Sequence, residues 1–125
     1  MRQPMRNVYK KLVPFALPLL CWWPALMAAD QATADIEYLL TALGQSDCTF
    51  IRNGKEHSAM EAESHLRMKY ERGRKYVDSA GQFIDRLASK SSWSGKPYYI
   101  QCPGEDQQQT SAWLTQRLAQ YSVGK

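Results

Sequence analysis

The first regular hydrophobic pattern in the body of the chain is Ile36, Leu39, Leu40 and Leu43. Their i, i+3, i+4, i+7 spacing predicts an amphipathic helix over 35–43, stopped by Gly44. Cys48-Thr49-Phe50-Ile51-Arg52 is short, β-branched and aromatic, and so reads as a strand; the following Asn53-Gly54 is a strong turn signal. Ser58 with Glu61 three positions on makes a capping box, opening a second helix with a buried stripe of Ala59, Ala62, Leu66 and Tyr70 and an end at Gly73. Ser79 with Gln82 repeats the device before Ala80, Phe83, Ile84 and Leu87. A polar loop, Ser89 to Lys96, leads into a second strand, Pro97 to Cys102, closed by Pro103-Gly104. Glu105 to Gln109 reads as a polar linker, and a last helix from Thr110 or Ser111 buries Trp113, Leu114, Leu118 and Tyr121. The predicted order is α-β-α-α-β-α: a small α+β domain with a short two-stranded antiparallel sheet packed against helices.

The N-terminal region has a different pattern. Arg2, Arg6, Lys10 and Lys11 precede an uncharged, largely apolar run from Leu12 to Ala29. That order is the pattern of a secretory signal peptide over 1–29, with cleavage as late as residue 34 if Ala32-Thr33-Ala34 supplies the small residues. The alternative, a retained membrane anchor, is disfavoured by Pro14, Pro18 and Pro24, each of which removes a helical backbone donor. Leu20 before Cys21 does not make a lipoprotein signal. The expected product is a periplasmic domain over 35–125, without permanent membrane insertion.

This placement changes the meaning of the charge. The formal net charge of +4 over 125 residues comes entirely from the leader, because the rest of the chain balances twelve basic against twelve acidic residues. The basic run Arg67, Lys69, Arg72, Arg74, Lys75 shares its helix with Glu61, Glu63 and Glu71, so a salt-bridged solvent face is the plainer reading and no nucleic-acid partner is expected.

Of three cysteines, Cys21 lies in the leader. Cys48 and Cys102 remain as an even pair in an oxidising compartment, which reads as one structural disulfide. If the two strands are antiparallel with these cysteines opposed, Phe50 faces Ile100 and Arg52 faces Tyr98 on the same side. Arg52 then lies beside Ser94-Gly95-Lys96.

Signatures of catalysis are sparse. Ser94-Gly95-Lys96 lacks the first glycine of a phosphate loop, where Lys90 stands, and has Pro97 where the hydroxyl residue belongs. No Gly-x-Ser-x-Gly occurs. His57 and His65 have no standard ligand spacing, so neither metal nor other cofactor is expected.

Phe50-Ile51-Arg52-Asn53-Gly54, Glu56-His57, His65-Leu66-Arg67-x-Lys69, Phe83-Ile84-Asp85 and Ser91-Ser92-x-Ser94-Gly95-Lys96-Pro97-Tyr98 occur in that order. Together they resemble the YfeK-like family of small secreted proteobacterial proteins of unknown function. The resemblance implies export and a compact α+β domain, and no activity. Its motifs contain polar residues that core packing does not demand: Arg52, Asn53, His65, Lys69, Ser92, Ser94 and Lys96, with Gly95 and Tyr98. These are the candidate binding residues, offering charge-assisted donors and hydroxyls to a small anionic or sugar-like ligand, or to an envelope protein. The alternatives are a hydrolase-type enzyme using His65 with Ser94 or Lys69, and an inhibitor of lysozymes. The latter rests on Ser94-Gly95-Lys96-Pro97-Tyr98, which resembles the Ser-Gly-x-x-Tyr inhibitory loop of periplasmic lysozyme inhibitors over those five residues alone.

Overall fold

The computed structural model describes residues 23–125; the positive start and most of the apolar run of the expected leader fall outside the described residues. Helix α1 spans Trp23–Gly44, β1 Thr49–Arg52, β2 Lys55–His57, α2 Ala59–Gly73, α3 Ala80–Leu87, β3 Tyr99–Gln101, β4 Gln108–Gln109 and α4 Thr110–Val123. A 3₁₀ turn, Arg74–Tyr76, joins α2 to α3.

Helix α1 begins well before the predicted 35–43. Pro24 sits in its first turn, where a missing N–H costs nothing, and Ala25 to Ala29 are good helix formers. Burial nevertheless starts only at Ile36, and Leu39, Leu40 and Leu43 complete the stripe. Helix α2 opens with the expected reciprocal cap: the Glu61 amide donates to Ser58 Oγ and the Ser58 amide to the Glu61 carboxylate. Those bonds hold the Glu61 carboxyl below the usual carboxylate range. Ser79 caps α3 through the Gln82 amide, but Gln82 Oε1 accepts from the Asp78 amide, one residue further back than in a capping box.

The sheet has four antiparallel strands in the order β2-β1-β3-β4, not two. The central pair has the expected register, Thr49 with Gln101, Phe50 with Ile100 and Ile51 with Tyr99. Continued outward, it sets Cys48 against Cys102, which form a disulfide with their Cα atoms 4.1 Å apart. The two added strands carry no apolar alternation. Lys55-Glu56-His57 folds back through the Asn53-Gly54 turn, and Gln108-Gln109 pairs with β3 inside the stretch read as a linker. Polar, very short edges of this kind satisfy the backbone of the central strands while discouraging sheet-to-sheet association.

Phe50 and Ile100 from the sheet, Leu66 and Tyr70 from α2, Phe83 and Ile84 from α3, and Trp113 and Leu114 from α4 close the core around the α1 stripe. On the far side, Tyr38 of α1 stacks on Tyr121 of α4 with ring centroids 4.0 Å apart.

Candidate functional site: a donor-lined cavity

Arg52 pairs with Lys55, which leaves Asn53 and Gly54 as a two-residue hairpin loop. Both have positive φ, +52° and +76°, the backbone such a tight loop needs and the reason Asn-Gly suits it. The Asn53 carboxamide then reaches across to the loop before β3. Its Nδ2 donates to Ser91 Oγ at 3.5 Å, and its Oδ1 accepts from the Ser94 hydroxyl. Ser91, itself buried, is the hub of that loop: its hydroxyl accepts from the amides of Trp93 and Ser94, and its amide donates to the Lys96 carbonyl. A bridge between Lys90 and Pro97 closes the loop at its base. The loop is therefore fixed by its own hydrogen bonds, and the tip it presents is rigid.

Helix α2 supplies the facing wall. His65, Met68, Lys69 and Arg72 follow the i, i+3, i+4, i+7 spacing, a second face beside the core stripe of the same helix. Between this face, the β1–β2 hairpin and the Ser91–Trp93 segment lies a cavity of about 720 Å³. Its cations are Arg52, Lys55, Lys69 and Arg72, and among the described residues no aspartate or glutamate lines it. Glu61 lines a smaller adjoining hollow that shares Arg52, His57 and His65 with this one.

At the inner wall four side chains form one network. Arg52 Nη1 is 3.1 Å from His65 Nδ1, His65 Nε2 is 3.1 Å from the Tyr98 hydroxyl, and Lys69 Nζ donates to that hydroxyl at 3.1 Å and to the Lys90 carbonyl at 3.0 Å. Burial, with Arg52 and then Lys69 and His57 as neighbouring positive charges, lowers the His65 pKa to about 4, so the ring is neutral at physiological pH. The direction of each bond follows. Arginine has no acceptor, and its Nη1 lies 3.1 Å from Nδ1 and 3.4 Å from Nε2; with the shorter contact taken as the hydrogen bond, Nδ1 accepts and Nε2 carries the proton. His65 Nε2–H and Lys69 Nζ–H then both donate to the Tyr98 oxygen, filling its lone pairs. The Tyr98 proton is left over. Among the described residues no acceptor faces it, although Tyr98 is only 1% exposed and lines the cavity. Burial raises the Tyr98 pKa, the Arg52 charge partly opposing, and burial with the Arg52 charge lowers that of Lys69. With that tautomer, no hydrogen bond among the described residues takes up the Tyr98 O–H or the remaining guanidinium N–H groups of Arg52, and both residues line the cavity.

The structure brings Arg52, Asn53, His65, Lys69, Ser92 and Tyr98 together around this cavity. Ser94 buttresses Asn53 from behind, while Gly95 and Lys96 lie on the outer side of the loop and do not line it. Lys96 is thus not among the residues that line the cavity with Arg52. Tyr98 is buried behind the loop and is not displayed on it beside Ser94, as an inhibitory loop would require. His65 has Arg52 and Tyr98 as its hydrogen-bond partners and no serine hydroxyl, and Lys69 is committed to Lys90 and Tyr98. Among the described residues no three His, Cys, Asp or Glu side chains cluster as metal ligands.

Sequence reasoning missed Lys55, Met68, Arg72 and Trp93. Met68 and Arg72 were detectable, since they complete the helical spacing begun by His65 and Lys69. Trp93 stands out as the only aromatic residue in the polar loop between Ser89 and Lys96.

No described helix is long and apolar enough to cross a membrane. Comparison with known proteins places this site in context. The chain is 46% identical over 91 residues to a Salmonella typhimurium protein named "Uncharacterized protein YfeK", covering 71% of this chain and 76% of that one. No solved structure matches it. A family profile described as a family of unknown function, DUF5329, matches residues 30–122. With nearly the whole described domain inside that match, the chain belongs to the DUF5329 family.

Proposed function

We propose that this chain is an exported, non-catalytic binding protein whose cavity takes a small anionic ligand. The observation that carries the reading is the surplus of donors: Tyr98 and Arg52 line the cavity with hydrogens that no acceptor among the described residues takes up, and no carboxylate among those residues lines it. A buried donor without an acceptor costs on the order of 1–3 kcal/mol, and an anionic oxygen seated there removes that cost. A sugar fits less well, because its hydroxyls need acceptors as much as donors, and the inner wall offers only donors. Export is supported by the leader pattern of residues 1–29 and by the Cys48–Cys102 disulfide, a bond that persists in oxidising compartments such as the periplasm.

The test is a calorimetric titration of the purified protein with organic acids and phosphates, alongside uncharged sugars. Saturable binding of an anion that weakens at least tenfold in Arg52→Met is the expected outcome. Failure of every anion to bind, or equal binding by Arg52→Met, removes the proposal.

A further inference from the structure

The donor network lies at one end of the cavity; the other brings in the apolar side chains of Met68, Leu87 and Trp93, with Arg72 beside them at the close of α2. Met68 is 38% exposed and Trp93 is 93% exposed, both within the cavity lining. The Trp93 exposure is built in, since its loop is tied through Ser91 to Asn53 and closed by the Lys90–Pro97 bridge. Leu87 completes this end. It is held tightly against α2 because Gly73 has no side chain: a Cβ there would stand 2.8 Å from Leu87 Cδ2. Holding an indole in water on a fixed loop has a standing cost that only an apolar contact relieves.

We infer that the ligand is an amphiphilic organic acid, its anionic head on Arg52 and Tyr98 and its apolar body along α2, between Met68 and Leu87 and under Trp93. This rests on the anion reading above and narrows it to one chemical class. The dimensions agree: the α2 face from His65 to Arg72 advances seven residues, about 10 Å at the helical rise, the length of a medium-chain carboxylate. A small hydrophilic anion would satisfy the donors and leave the Trp93 end wet. A neutral apolar compound would cover Trp93 and leave the Tyr98 proton and Arg52 unanswered. A single molecule that does both needs a head and a tail.

The experiment titrates the isolated protein with octanoate, acetate and octanol, reading heat and tryptophan emission, and repeats it with Trp93→Ala. Trp93 makes no core contact, so the variant is expected to fold. Octanoate is expected to bind at least about tenfold more tightly than acetate and to move the emission to shorter wavelength. In Trp93→Ala the octanoate-to-acetate ratio is expected to shrink several-fold. Equal affinities for the two acids would overturn the amphiphile while leaving the anion site standing. Octanoate selectivity that survives Trp93→Ala would overturn the placement of the tail. Octanol binding as tightly as octanoate, or no binding by either acid, would overturn this inference; the anion reading falls with it only if the phosphates and the other organic acids also fail to bind.

Discussion

Lys69 Nζ lies 3.1 Å from the Tyr98 hydroxyl and 5.0 Å from the centre of the same ring, beyond the phenol oxygen, so the ammonium group meets the phenol at its polar end as a hydrogen-bond donor. The ring is also packed 5.0 Å from Phe50, which makes Tyr98 a core residue and a cavity residue at once. Tyr98→Phe separates the two roles. The packing is retained, while Lys69 and His65 lose their shared acceptor and the cavity loses a donor. Expected are a loss of about 1–2 kcal/mol in urea unfolding and about tenfold weaker anion binding. A variant that binds as the parent does would remove Tyr98 from the site.

His65 gives the fold a pH dependence of defined sign. Its pKa falls from the ordinary 6.5 to about 4 on folding, chiefly through burial, with Arg52 and then Lys69 and His57 adding repulsion. Between those values the unfolded chain holds more protons, so stability rises with pH through the window. The neutral-ring contribution is therefore complete above 6.5 and lost as the pH falls toward 4. Melting temperatures measured across this range should drop on acidification, and His65→Gln should drop less. Parallel profiles for the two proteins would refute the assignment.

The hairpin turn sets where Arg52 points. Gly54 has φ +76° with open space around its Cα, so Gly54→Ala meets no neighbour and is opposed by backbone strain alone, about 1–2 kcal/mol. Asn53→Ala is expected to cost more, because it also removes the ties to Ser91 and Ser94. Chemical denaturation of both variants tests this ranking, and a stabilised Gly54→Ala would contradict it.

The disulfide joins the start of β1 to the end of β3 across a separation of 54 residues. Closing a loop of that length is worth roughly 4 kcal/mol in the chain-entropy view. The Cys48→Ala, Cys102→Ala protein should melt well below the parent, and reductant should lower the parent toward it while leaving the variant unmoved. Insensitivity of the parent to reductant after unfolding and refolding would show that the bond is not a stabilising element.

The helices and the central strand pair were legible in the sequence because each carries its own physical signature. Leu39, Leu40 and Leu43 mark one helical face, Ser58 with Glu61 marks a cap, and the Cys48–Cys102 pairing carries the β1–β3 register with it. The edge strands were not, since Lys55-Glu56-His57 and Gln108-Gln109 bury little and are held by backbone pairing to their neighbours. At the site, charge and hydroxyl content picked out Arg52, His65, Lys69 and Tyr98. Met68 and Trp93 escaped because an exposed apolar side chain has no sequence signal until the surrounding polar residues are seen to converge. Lys96 is in the same motif as Tyr98 yet does not line the cavity, since neighbours along a chain need not share a face.

Lys125 Nζ contacts Asp35 Oδ1 at 2.9 Å, so a residue just past the end of α4 is tied to the middle of α1. Neither of those helices contributes a residue to the cavity. A reporter or a surface joined at Lys125 is therefore joined to helices that take no part in lining the cavity.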